Sequence, residues 1–199
     1  MKMAVRLISG VEEVGGLQGV CSHPSVWGQG YARRLVEHVH DRFRELGLRI
    51  STLTTSRNIR GYSVYRALGY VDLAPFYRGS RQVGPGRPRT EGTRIRAATT
   101  RDLPTIQRLF GTYVRGLCGW TVRHPEALPA RAAWYPKFFA RYRIVVRDGT
   151  AVGYLRTSPD EDLTFEEMIV PSMGDFRRAV AVMEARASGK MATTTWISC

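Results

Sequence analysis

The segment Val20-Cys21-Ser22-His23-Pro24-Ser25-Val26-Trp27-Gly28-Gln29-Gly30-Tyr31-Ala32-Arg33-Arg34-Leu35 runs from an apolar stretch through two closely spaced glycines into a helical period. A strand that opens into such a loop and then a helix leaves several backbone N–H groups unpaired and pointing the same way. The helix dipole reinforces them, so the arrangement suits phosphate oxygens. Gly28 and Gly30 let the backbone come close to an anion, and Arg33 and Arg34 add positive charge in the first turns. A plain structural turn is the competing reading of this segment alone.

Around it the chain reads as a compact βαβαβ run. Strands are predicted over 4–9 and 17–22, with Val5, Leu7, Val20 and Cys21 as candidate buried positions. Leu35, Val39, Phe43 and Leu46 recur at helical spacing over 31–46, and Gly47 suits the C-terminal cap. A strand over 49–54 follows, then a helix over 59–68 ended by Gly69, then a strand over 70–73.

Residues 81–93 have no periodicity and collect Gly, Pro and Arg, the mark of a linker. A new unit opens at Arg94-Ile95-Arg96. It continues with a turn at 99–102, where Asp102 and Pro104 start a helix carrying Leu103, Ile106, Leu109, Phe110, Tyr113 and Val114. An aromatic and proline-rich region over 120–139 precedes a hairpin, 143–146 and 151–157, turned at Asp148-Gly149. A strand over 166–170 and a helix over 175–187 complete the expected elements.

Composition narrows the function classes. The 199 residues are 43% hydrophobic and 24% charged, ordinary globular usage that excludes disordered and collagen-like chains. The formal charge is +13, which first suggests a polyanion partner. Yet only Lys2, Lys137 and Lys190 are lysines, and the arginines are spread along the chain with one local excess at 80–96. No base-reading module accompanies them, so no specific nucleic-acid partner is expected. Cys21, Cys118 and Cys199 are odd in number and far apart, which indicates neither a disulfide framework nor a zinc site. A reducing cytoplasm, no metal and no membrane span are the expectations, and the N-terminus does not read as a signal peptide.

A second motif stands downstream: Asn58-Ile59-Arg60-Gly61-Tyr62-Ser63-Val64-Tyr65-Arg66-Ala67-Leu68-Gly69-Tyr70. Together the two segments resemble the GCN5-related N-acetyltransferase (GNAT) superfamily. There a pyrophosphate-binding glycine loop is followed, after one helix and one strand, by an Asn, a Tyr seven residues on, and then Gly and an aromatic. The resemblance covers about residues 4–79. It implies an α/β fold with a mixed central sheet flanked by helices, and acetyl-CoA as acetyl donor.

Residue by residue, it implies that the backbone of Val20, Cys21 and Ser22 pairs with the pantetheine arm. The amides of Val26, Trp27, Gly28, Gln29, Gly30, Tyr31, Ala32 and Arg33 would hold the pyrophosphate. Asn58 would hydrogen-bond the pantetheine, and Tyr65 would be the catalytic proton donor to departing coenzyme A. Ser25 departs from the pattern, since the family usually has Arg or Gln there, and Trp27 replaces a frequent Arg.

The order of elements is similar to tandem acetyltransferases of the enhanced intracellular survival type. On that likeness residues 1–79 are the acetyl-CoA-binding C-terminal half of one GNAT domain, 80–93 a linker, and 94–199 the N-terminal half of a second, degenerate domain. The chain then reads as an internal fragment, with a permuted single domain as the alternative.

The function expected is acyltransfer from acetyl-CoA to an amine, borne by a small molecule or a protein, by direct attack in a ternary complex. A non-catalytic acetyl-CoA binder is the alternative. A phenol with pKa about 10 is a weaker acid than a thiol at about 8.5, so Tyr65 assists departure rather than driving it. Tyr65 also fits a core aromatic, Asn58 a helix cap, His23 a turn residue and Cys21 a buried strand residue. The acidic residues Asp160, Glu161, Asp162, Glu166 and Glu167 read either as an attractor of a cationic acceptor or as a solvated hairpin. Nothing in the sequence places a general base or fixes the oligomeric state.

Overall fold

The computed structural model describes residues 1–7, 10–73, 76–83, 92–117, 119–158, 163–187 and 191–197, the side chains of 76–79, 81 and 191–197 excepted. The expected linker at 84–91, the acidic group at 160–162, Cys118 and Cys199 lie outside the described residues. The chain divides into two compact units, residues 1–73 with 117–122, and residues 74–116 with 123–199.

The first unit is built on a three-stranded sheet. β1 (Lys2–Leu7) pairs antiparallel with β2 (Gly10–Gly16), and the short β3 (Ser51–Thr52) lies parallel to β2 at Gly15 and Gly16. The 117–122 segment lines the other side of β1, where Val122 N donates to the Ala4 carbonyl and Arg6 N to the Trp120 carbonyl. α1 (Tyr31–Glu45) and α2 (Arg60–Ala67) complete the unit.

Several local expectations are corrected here. No strand forms over 17–22: Leu17 N makes a last bond to the Thr52 carbonyl, after which the chain leaves the sheet and turns at Gly19, φ +69°. Cys21 is accordingly exposed rather than buried. The buried face of α1 is Val36 and Phe43, whereas Leu35 and Leu46 are about half exposed. The core side of this helix is therefore turned one residue from the expected stripe, because Phe43 packs against Gly15. A Cβ on Gly15 would stand within 2.7 Å of the Phe43 ring.

Residues 70–73 are not a strand either: Gly69, φ +89°, redirects the chain, and Val71 and Leu73 face solvent while Tyr70 turns inward.

The second unit holds a six-stranded sheet in the order β4-β9-β8-β7-β6-β5. These are β4 (Phe76–Gln82), β5 (Thr93–Ala97), β6 (Tyr142–Arg147), β7 (Thr150–Thr157), β8 (Leu163–Ile169) and β9 (Met191–Ile197). Only β8 and β9 run parallel. Residues 81–82, expected in a linker, continue β4, and β4 pairs along its length with β9, a strand that sequence reading did not foresee.

Ile144 and Val145 are adjacent in β6 and both fully buried, which requires a covered layer on each face of the sheet. α6 (Met173–Arg186) covers one face with Ala179, Val182 and Met183 against Ile95, Val145, Leu155 and Phe165. On the other, α3 (Leu103–Tyr113), α4 (Ala127–Trp134) and α5 (Pro136–Phe139) bring Ile106, Phe110, Leu128 and Phe139 into the core.

The hairpin forms as expected, with Asp148 at φ 49° and Gly149 at φ 81°, the backbone of a primed two-residue turn. The capping box at Thr99 and Asp102 precedes α3.

Candidate functional site

The glycine loop lies wholly in the first unit. After a single 3-10 turn over Pro24–Val26 the chain passes Gly28 and Gly30, both at φ +79°, where any side chain would be strained. Gly30 is the N-cap of α1, and no side chain caps that end. The first intrahelical bond is Arg34 N to the Gly30 carbonyl, so the amides of Tyr31, Ala32 and Arg33 have no carbonyl partner within the helix. Three aligned N–H groups, the positive end of a 15-residue helix and two αL glycines make an anion cradle.

The side chains of the loop brace it. The Trp27 indole N–H donates to the Ser22 carbonyl at 3.0 Å, Gln29 to the Ser25 carbonyl at 3.3 Å, and the Ser25 hydroxyl meets His23 Nδ1 at 2.8 Å. Ser25 thus serves the loop's own shape, where a longer cationic side chain would reach outward. Arg33 is paired with Glu37 at 2.9 Å, so its charge is already compensated. Arg34 reaches the Gln29 carbonyl at 3.4 Å and stacks on Tyr31.

Beside the cradle lies a cavity of about 460 Å³ lined by Met1, Gly16, Leu17, Gln18, Gly19, Val20, Leu35, Val36 and Val39. It lies where the chain leaves β2, between residues 16–20 and the Leu35, Val36 and Val39 side of α1. Leu35, half exposed, is accounted for here, since it faces the cavity instead of the core. Of the expected binding residues only Val20 is among the cavity lining.

Asn58 is exposed, and Ile59 rather than Asn58 is the N-cap of α2. Tyr65 is 9% exposed in α2, beside Gly61, and its ring meets Tyr70 edge-on at 5.8 Å. Burial pushes the Tyr65 phenol above its ordinary value, so it stays protonated throughout the neutral range. Neither residue lines the cavity.

Tyr70 belongs to a polar group that sequence reading missed. Its hydroxyl bonds the Ser51 hydroxyl and His40 Nε2, the latter at 2.8 Å. The signal was a histidine on the inward side of α1 and a tyrosine after the helix-ending glycine, but their meeting depends on how α1 and the 68–70 turn pack.

In the second unit, Glu166 is held by Arg141 and Arg156, and Glu167 by Arg123 and the Tyr154 hydroxyl. These carboxylates are neither a solvated hairpin nor free bases. Among the described residues no group of His, Cys, Asp or Glu is placed to hold a metal, and no helix is long and apolar enough to cross a membrane.

Residues 4–70 match the acetyltransferase (GNAT) family. The match includes the glycine loop, the cavity lining after β2, Asn58 and Tyr65. A GCN5-related N-acetyltransferase from Kribbella flavida is similar in structure, with TM-score 0.63 and 21% identity over 98% of this chain and 48% of its own. A GCN5-related N-acetyltransferase from Anabaena variabilis gives 0.69 and 15% over 99% and 51%, respectively. An Enterococcus faecalis protein described as a probable N-acyltransferase gives 0.68 and 14% over 100% and 51%.

The fold is thus GNAT-like, a mixed α/β architecture with sheets flanked by helices, and the chain spans about half the length of these structures. No functionally curated protein matches the chain.

Proposed function

We propose that the first unit binds acetyl-CoA and passes its acetyl group to an amine by direct attack in a ternary complex. The observation that carries this is the uncapped N-terminus of α1, with Gly28 and Gly30 in the αL region, standing beside the cavity that runs along Gly16–Val20. The pyrophosphate falls on the amides of residues 28–33. The pantetheine arm takes the backbone of 18–21, where the chain has left the sheet, with Asn58 as a further donor.

In the reaction a carbon–nitrogen bond forms between amine and acetyl carbon, the carbon–sulfur bond breaks, the attacking nitrogen sheds a proton to solvent, and the thiolate takes one up. Tyr65 holds one, because burial keeps its phenol neutral. An amine with an ordinary pKa of about 8 reaches the attacking state far more readily than a lysine-like one at about 10.4. The acceptor is an amine of a small molecule or a protein. Glu166 and Glu167, clamped by arginines, are not its base.

We read residues 94–199 as the beginning of a second domain of the same kind, as in tandem acetyltransferases, from its order of strand, helices, hairpin, strand, helix and strand. We read the activity as cytoplasmic, and the exposed thiol of Cys21 supports a reducing compartment.

Calorimetry with coenzyme A and thiol release with a panel of amines test this reading. Saturable binding is expected, with Gly30→Glu abolishing it by placing a carboxylate among the amides. Tyr65→Phe should lower kcat by about tenfold to a hundredfold with little change in the KM for acetyl-CoA. Absence of saturable binding refutes the reading; acetyl transfer to the enzyme without amine refutes direct attack.

A further inference from the structure

Arg60, the first residue of α2, has its guanidinium carbon 5.0 Å from the centre of the Trp27 ring. This stack brings a cation from the second motif onto the glycine loop. Trp27 is itself fixed, its indole N–H on the Ser22 carbonyl at 3.0 Å and its backbone N–H on the Pro24 carbonyl at 3.1 Å. Of the arginines around the loop, Arg33 is compensated by Glu37 and Arg34 is turned to the Gln29 carbonyl. The Arg60 guanidinium has no carboxylate or hydrogen-bond partner among the described residues. It is a planar fork of donors lying over an aromatic ring, with its N–H groups available to a ligand.

Coenzyme A carries three phosphates, two in the pyrophosphate and one on the 3′ position of the ribose. On the reading above, which this inference rests on, the pyrophosphate takes the loop amides and pantetheine enters the cavity at Gly16–Val20. The nucleotide end then leaves the pyrophosphate away from the cavity. Trp27 and Tyr31, each about half exposed, are loop side chains outside the cavity lining, and Arg60 lies over Trp27.

The backbone amides suit the pyrophosphate. The 3′-phosphate is a near-dianion with three equivalent oxygens, and a guanidinium can meet two of them at once. We propose that Arg60, held in place by Trp27, recognises the 3′-phosphate of coenzyme A and makes the site discriminate against the dephosphorylated form.

The test is calorimetry of the full chain with coenzyme A and with 3′-dephospho-coenzyme A. The wild-type protein should prefer coenzyme A by about tenfold, the worth of one exposed charge-assisted pair. Arg60→Gln should bring that ratio close to one by weakening coenzyme A alone. Trp27→Leu should shift the ratio in the same direction, because it frees the guanidinium. Circular dichroism checks that both variants, changed at exposed positions, remain folded. Equal binding of the two ligands by the wild type, or equal weakening of both by Arg60→Gln, overturns the assignment while leaving the cofactor reading intact. Failure of both ligands to bind overturns the cofactor reading and this inference with it.

Discussion

Tyr70 places its hydroxyl 2.8 Å from Nε2 of His40, joining the end of the second motif to the middle of α1. The same hydroxyl bonds Ser51 in β3, so three segments of the first unit meet at one phenol. The rings of His40 and Tyr70 lie 5.5 Å apart, and Tyr65 packs against the other aromatic edge. Burial, helped by Arg44, holds His40 below its ordinary value, with Asp41 and Glu37 opposing more weakly.

His40 is therefore expected to titrate below the ordinary histidine value of about 6.5. Its depressed folded value means that the stability it contributes is complete above about pH 6.5 and is lost as pH falls through that value toward the folded one. Proton NMR, with His40→Gln assigning the resonance, checks this. A His40 resonance titrating at or above about 6.5 would contradict it.

Gly15 and Phe43 form a fitted pair, and Gly15→Ala should destabilise the first unit by about 1–3 kcal/mol through overpacking. Phe43→Leu in the same chain should recover part of that loss, since it removes the ring atoms the new methyl would strike. Thermal melts of the single and double variants decide it, and strictly additive losses would exclude the proposed clash.

Asp175 closes the N-terminus of α6 from within. It is 1% exposed, receives Arg147 at 2.5 Å and the Ser172 hydroxyl at 2.6 Å, and its own amide is capped by Ser172. A buried carboxylate thus closes this helix end to an anion, and one equivalent of coenzyme A per chain is the expected stoichiometry. Two equivalents would refute this. Asp175→Ala should lower stability by about 1–3 kcal/mol, because it removes a buried carboxylate together with its hydrogen bonds to half-exposed Arg147 and to Ser172.

Asp102 accepts Arg96 through both oxygens, at 2.6 and 2.8 Å, and the Thr99 amide at 2.8 Å. The Arg96 guanidinium holds this carboxyl well below the usual range. A depressed folded value stabilises the protein above the unfolded value of about 3.9, and the gain disappears as pH falls below it. Asp102→Asn should therefore cost about 1–3 kcal/mol at pH 7, a difference that narrows under acid. Denaturant titrations at pH 7 and pH 2.5 measure it; a pH-independent difference would argue against the ionised pair.

The glycine loop, α1 and the hairpin were legible because their signals are local. Gly28 and Gly30 must be glycine for a positive φ, Gly47 ends a helix, and Asp148-Gly149 supplies the two positive φ values of a tight turn. The family likeness was legible for the same reason, since its landmarks are short motifs at fixed spacing. Site residues that act through distant neighbours were not. Glu166 and Glu167 read as free acids because nothing in their own segment reveals Arg123, Arg141 and Arg156. Arg60 passed as one more arginine until Trp27 was found beneath it.

By itself the sequence determined where backbone conformation is forced: the αL glycines, the uncapped helix start and the turn residues, all set by sterics within a few residues. Tertiary structure decided which surfaces meet. It ended β2 at Gly16, turned α1 so that Val36 and Phe43 face inward, carried β4 to β9 and gave Tyr70 its partners. Those outcomes rest on packing and hydrogen bonds between segments far apart in the chain, whose strength depends on geometry that no local pattern of residues encodes.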